Sequence, residues 1–199
     1  MTQFTSRLNV NTQFTKSLSI TFNLSGSFSD KKGYGPGVNP QSYANQTSRA
    51  IPVYDENGKR VFYKRYYEYQ LNRSGQLEYG YNILNEMENS YSKNNSKNFN
   101  VSINADWSIT DWLKYQFVGS IAYSTNNSES FAGEKTSYIE RNYRGYAYGT
   151  EPSGSARFNA ALLPFGGELA TNVINNTSYN MQHKVVFSRT INEIHRLNA

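Results

Sequence analysis

The sequence has no cysteine, so neither a disulfide framework nor a thiolate metal site is open to it. Its two histidines, His183 and His195, have no Asp or Cys partner at a fixed spacing, and no nucleophile–base or metal-ligand pattern can be built on them. Long apolar runs are missing as well. The longest, around Ala160 to Leu163, is stopped by Pro164, well short of the ~20 residues that a membrane-crossing helix needs. Met1 to Val10 lack the basic start and apolar core of a signal peptide, and for an exported chain that implies a fragment whose beginning lies elsewhere. Hydrophobic residues are few, 37%, with a mean hydropathy of -0.72. Aromatics nevertheless reach 15%, mostly tyrosine, which excludes a solvating disordered chain.

Charge of one sign is not concentrated anywhere. The formal net charge is +5, but Lys31, Lys32, Arg60, Lys64 and Arg65 are interleaved with Asp30, Asp55, Glu56 and Glu68, so no basic stripe forms and no nucleic-acid partner is expected. The glycine-rich words GYGPG (33–37) and PFGGE (164–168) lack the Lys-Ser/Thr ending of a phosphate loop and read as turns. Glu86 and Glu88 read as solvated loop residues. No catalytic, cofactor or metal site is assigned, and the chain is not expected to be an enzyme.

What the sequence does contain is period-two alternation, the mark of strands with one apolar and one wet face. Phe4, Leu8, Val10 and Phe14 alternate with Thr5, Arg7, Asn9, Asn11 and Gln13. Leu18, Ile20, Phe22, Leu24 and Phe28 alternate with Ser19, Thr21, Asn23, Ser25 and Ser27. The unit recurs from Phe99 to Ile109 and again from Leu113 to Tyr123, where Val118 and Ala122 break the polar side. A fifth strand runs from Tyr179 to Ile191, turns at Asn192-Glu193, and a sixth begins at His195. Strands are therefore expected near 3–14, 16–29, 97–109, 112–125, 178–191 and 195–199.

Short turns alternate with two long polar stretches, about 29–97 and 126–177. Membrane barrels have this layout, with short turns at one rim, long outer loops at the other, and strands of ~9 to 11 residues crossing between them. Phe14, Trp107 and Trp112 beside the short turns would form an interfacial aromatic girdle. A soluble β-sandwich or surface adhesin shows the same alternation with its apolar face turned inward. One-sided loop lengths and a uniformly polar second face favour the barrel. Within the first loop, Asn57-Gly58 between Val53-Tyr54 and Val61-Phe62 predicts a type I′ hairpin.

Three stretches carry a family likeness: TSRAIPVYDENGK (47–59), YNILNEMEN (81–89), and the segment from Tyr138 to Leu169 with YIERNYRGYAYG and LLPFGGEL. In this order they resemble the SusC/RagA family of TonB-linked outer-membrane proteins, and the likeness covers almost the whole chain. The resemblance implies a fragment, about six strands of an antiparallel transmembrane barrel of ~22 strands, without the plug domain. It implies residence in the bacterial outer membrane, in contact with lipid, and TonB-dependent import of oligosaccharides or peptides. A SusD-like surface lipoprotein would be the partner, with TonB reached through parts of the parent not in this chain. The alternative is a secreted or surface-attached β-protein that binds glycans without transport; a passive porin comes third.

Candidate contacts with substrate or partner are tyrosines of the long loops, because a phenol ring stacks on the apolar face of a sugar while its hydroxyl donates and accepts. From Tyr63, Tyr66, Tyr67, Tyr69, Tyr143, Tyr146 and Tyr148, the four singled out are Tyr66, Tyr67, Tyr143 and Tyr146. Their alternative role is to pack the loops together.

Overall fold

A computed structural model describes residues 1–68, 76–191 and 195–198, with side chains described outside 66–68, 76–78, 190–191 and 195–198. The protein is mostly antiparallel β-sheet. Its large strands are β1 (Thr2–Thr15), β2 (Leu18–Gly33), β5 (Ser90–Thr110), β6 (Leu113–Ala132), β7 (Glu168–Ile191) and β8 (His195–Asn198). The first long stretch carries a separate hairpin, β3 (Tyr63–Glu68) with β4 (Gln76–Tyr81), and the short helices α1 (Pro40–Gln46) and α2 (Ile83–Glu88). The second carries α3 (Ser137–Ile139), which runs on into a π-helical turn at Glu140–Arg144, and α4 (Ala156–Asn159).

The large sheet is ordered β1-β2-β5-β6-β7-β8, so each large strand lies beside the next in the chain. Chain chemistry accounts for this. Two-residue connections at Lys16-Ser17 and Asp111-Trp112 leave the chain no path except straight back along its own strand. The turn at Asn192-Glu193 lies outside the described residues. The order is open, with β1 and β8 at its edges and no closure between them among the described residues.

Three strands run longer than the alternation indicated: β5 has 21 residues, β6 has 20 and β7 has 24, starting at Glu168 rather than near 178. Alternation marks only the part of a strand where one face must be apolar. Beyond it the backbone ladder continues with mixed residues such as Tyr91, Lys93, Glu129 and Phe131. At a rise of ~3.3 Å per residue, ~20 residues extend ~65 Å, about twice the hydrocarbon thickness of a bilayer.

Contacts divide the chain into two compact units, one of 1–30, 95–127 and 173–199, the other of 31–94 and 128–172. The first is the sheet unit. Its register pairs like with like: Leu8 faces Leu24 and Val10 faces Phe22 on one side, while Asn9 faces Asn23 and Asn11 faces Thr21 on the other. Directly opposed residues share a face, so the apolar and polar sets separate cleanly. None of the apolar-face residues of this unit is buried among the described residues. Phe22 and Ile103 are 37% and 39% exposed, and Tyr179 reaches 76%. Leu18, Ile20, Leu24, Val101 and Phe117 are half-buried because neighbours on the same face shield their flanks.

The second, loop unit holds the core. Every buried apolar residue among those described belongs to it: Tyr79, Tyr81, Ile83, Ala132, Ile139 and Tyr146. The turn at Asn57-Gly58 is not the expected two-residue type I′. Gly58 N–H donates to the Asp55 carbonyl at 3.0 Å, which puts Glu56 and Asn57 at the corners and leaves Gly58 at φ 76° after them. This is the three-residue hairpin loop, a turn followed by one left-handed residue. The Asp55 carboxylate stabilises it by accepting from the amides of Asn57 and Lys59 at 2.9 and 2.8 Å.

Candidate functional site

The loop unit is ordered by side-chain amides that use their full bonding capacity. Asn82, 2% exposed, caps α2 by accepting from the amides of Leu84 and Asn85 at 3.1 Å, while its own amide nitrogen donates to the carbonyls of Val53 and Val61 at 3.0 and 2.9 Å. One residue thus starts a helix and clamps the 53–61 hairpin against it. Asn85 reaches further along the chain and donates to the Lys135 carbonyl at 2.9 Å.

Glu86 is the centre of this knot and corrects the reading of it as a solvated residue. It is 1% exposed and accepts from the Ser137 amide at 3.0 and 3.1 Å, from the Ser137 hydroxyl at 3.1 Å and from Asn85 at 3.2 Å. The bond joins the first long stretch to the second across 51 positions of sequence. Burial pushes the Glu86 carboxyl above its ordinary range, and the Ser137 bonds work against that rise. Glu88 behaves as expected, exposed and ion-paired with Arg60.

Beside Glu86 lies a second buried carboxyl, Glu140, on the π-helical turn. Burial pushes it up to about 7; the Arg144 guanidinium pulls the other way, and the Glu86 charge adds to the rise. Arg144 is itself buried, donates to the Glu134 carbonyl, lies over the rings of Tyr146 and Tyr148 at 5.9 and 5.5 Å, and leaves its Nε without a partner. Arg141 donates to the Ser137 carbonyl and covers Tyr79 at 5.1 Å. A further aromatic cluster, Tyr43, Tyr63 and Tyr81, has ring centroids 5.7 to 6.3 Å apart, with Arg65 over Tyr81 at 4.4 Å.

The tyrosines singled out from sequence fall into three situations. Tyr66 and Tyr67 pair with Glu78 and Leu77 in the β3–β4 hairpin; their side chains, and Tyr69 altogether, lie outside the described residues. Tyr143 is half-buried and its hydroxyl donates to the Glu168 carboxylate at 2.5 Å, which pushes the phenol up to about 12. Tyr146 is 4% exposed and capped by two guanidiniums, Arg144 and Arg157 at 5.9 and 5.8 Å, so as placed it packs the loop. Tyr148, by contrast, is exposed.

On the sheet unit the polar face is tied crosswise. Asn23 donates to Ser102 and Asn98 to Ser27, both at 3.2 Å, and Gln116 donates to Asp106 at 2.7 Å. This face is hollowed by two grooves, one around Ala122 and one around Val118. On the apolar face Trp107 is exposed, while Trp112 packs edge-on to Phe187 at 5.3 Å with Arg189 over it at 5.5 Å. His183 has partners the sequence did not reveal, the Tyr115 hydroxyl at 2.5 Å and the Phe117 ring at 5.1 Å.

The geometry defines an open antiparallel sheet with one apolar and one polar face, joined in one chain to an ordered loop unit. Among the described residues no group of three His, Cys, Asp or Glu could hold a metal ion. Neither the known family models nor the curated proteins include a match to this chain.

Proposed function

We propose that this chain is part of the wall of a β-barrel in the bacterial outer membrane. The parent protein is read as a TonB-dependent transporter of the SusC/RagA type that imports bulky nutrients, oligosaccharides or peptides. The observation that carries the reading is the uncovered two-faced sheet. Its apolar residues line up on one side and none of those described is buried, which in water leaves a large apolar surface unsatisfied and in lipid leaves none. Backbone groups within the ladder are already paired, as hydrocarbon requires. The polar face, rich in Ser, Thr and Asn, suits the wet, plugged lumen of such a barrel.

The loop unit is read as the outer face. It has a core of its own and a dense polar knot, the construction of ordered loops that contact partners rather than of plain connections. A SusD-like lipoprotein and the substrate would meet the protein there, through exposed groups such as Tyr148 and the outer side of Tyr143.

The membrane reading is tested by nitroxide labels at Ile103 and Asn104 in protein reconstituted into bilayers. Relaxation by oxygen dissolved in lipid is expected at 103, and relaxation by a water-soluble nickel chelate at 104. The reverse pattern, or water access at both, would overturn the barrel wall and leave a surface-attached glycan-binding β-protein. Uptake itself is tested by growth on single glycans or peptides with and without the gene.

A further inference from the structure

The polar side of β6 reads Lys114, Gln116, Val118, Ser120, Ala122, Ser124, with two apolar residues where the pattern calls for polar ones. Each of the two lies in a groove of the polar face. Four positions apart on a strand, they are ~13 Å from one another. Both are half-buried, and no residue of this face is fully buried among the described ones.

The two grooves differ in charge. The Val118 groove contains both Asp106 and Lys184, and Asp106 already accepts from Gln116 at 2.7 Å. The Ala122 groove is lined by hydroxyls and amides of β1, β2, β5, β6 and β7 together with Gly26, Phe99, Ala122 and Tyr123, and Arg7 is the only charged residue in its lining. Arg7 is exposed, stands opposite Ser25 in the register, and makes no ion pair among the described residues. Asn98 donates to Ser27 at 3.2 Å, which leaves the Asn98 carbonyl oxygen free to accept and the Ser27 hydroxyl free to donate.

We propose that the groove around Ala122 is a binding subsite for an acidic sugar, with Arg7 holding the carboxylate. A pyranose presents an apolar C–H face and a rim of hydroxyls. A methyl floor at Ala122 meets the first, and Ser27, Asn98, Asn100 and Asn176 meet the second, since amides and hydroxyls both donate and accept. The guanidinium fork matches the two carboxylate oxygens. The assignment rests on the polar face lining the lumen where water reaches past the plug, but it can fail independently of that reading.

The test is calorimetric titration of the detergent-solubilised protein with two disaccharides that differ only in ending in glucuronic acid or in glucose. The acidic disaccharide is expected to bind about tenfold tighter than the neutral one, the worth of one charge-assisted contact. Arg7→Gln should remove that difference and leave neutral binding unchanged. Ala122→Phe, which fills the floor, should weaken both. Sodium acetate at the same concentration should not compete, which separates sugar recognition from plain anion attraction. Equal affinity for the two disaccharides, an unaltered preference in Arg7→Gln, or full competition by acetate would each overturn the subsite. Circular dichroism of each variant checks that the sheet is intact; if Ala122→Phe does not fold, the Arg7→Gln comparison decides alone. Loss of the sugar preference with normal lipid access at Ile103 removes the subsite and keeps the barrel wall. Water access at Ile103 would remove the wall, and with it the lumen on which the subsite rests.

Discussion

Glu86 and Glu88 sit two positions apart on one helical turn and have opposite fates, one sealed against Ser137 and the other in solvent with Arg60. Nothing local in YNILNEMEN distinguishes them, because the group that buries Glu86 arrives 51 residues later. Asn82 before Ile83-Leu84 has the residue type that starts a helix, yet this stretch was expected to be a loop. The same limit applies to Glu140, whose setting follows from burial next to Glu86. Its folded value of about 7 lies above the ordinary 4.5. Below 4.5 the folded and unfolded forms both carry the proton. Between 4.5 and about 7 only the folded form holds it, so stability falls as pH rises through that window and the loss is complete above it. After screening by nearby solvent this amounts to about 2 kcal/mol. The loop unit should therefore resist limited proteolysis better at pH 5 than at pH 8. Glu140→Gln should shrink that difference, leaving the part that the buried Glu86 contributes with the same sign; an unchanged difference would assign it to another group.

At the scale of elements, what could be read and what could not divide along physical lines. Strand faces and the presence of short turns were legible because each is a local pattern, period two or a chain reversal. Strand ends were not, since β5, β6 and β7 continue on backbone pairing after the side chains lose their alternation. The 55–58 turn was legible in its glycine and misjudged in its length, because Asp55 draws two amides to its carboxylate and shifts the corners by one residue. Two glycines probe these elements differently. A Cβ at Gly58 meets nothing, so Gly58→Ala pays only for the left-handed backbone, about 1 kcal/mol. At Gly133 a Cβ would stand 2.7 Å from the Asn89 carbonyl oxygen, whose bond from the Gly133 amide joins the end of α2 to the end of β6. Hydrogen exchange should show Gly58→Ala loosening residues 53–61 alone, and Gly133→Ala loosening α2 and α3 together. Identical exchange patterns for the two variants would mean that the 133 junction does not hold the loop unit.

For the whole molecule, the distribution of buried residues has a thermal meaning. The loop unit conceals apolar surface from water by folding, whereas the sheet unit keeps its apolar residues at the surface. Heat capacity rises on unfolding in proportion to the apolar surface newly wetted. Scanning calorimetry in detergent should therefore give two transitions. The one belonging to the loop unit should show a positive heat-capacity step and keep its midpoint when the surfactant is changed. The sheet transition should move with the chain length of the surfactant, because its apolar face exchanges one hydrocarbon neighbour for another. A single transition that follows the surfactant throughout would mean that the loops have no stability of their own. The six apolar side chains found buried among the described residues of the loop unit thus act as its private thermostat, set by water, within a protein whose remaining strands take their temperature from the solvent around them.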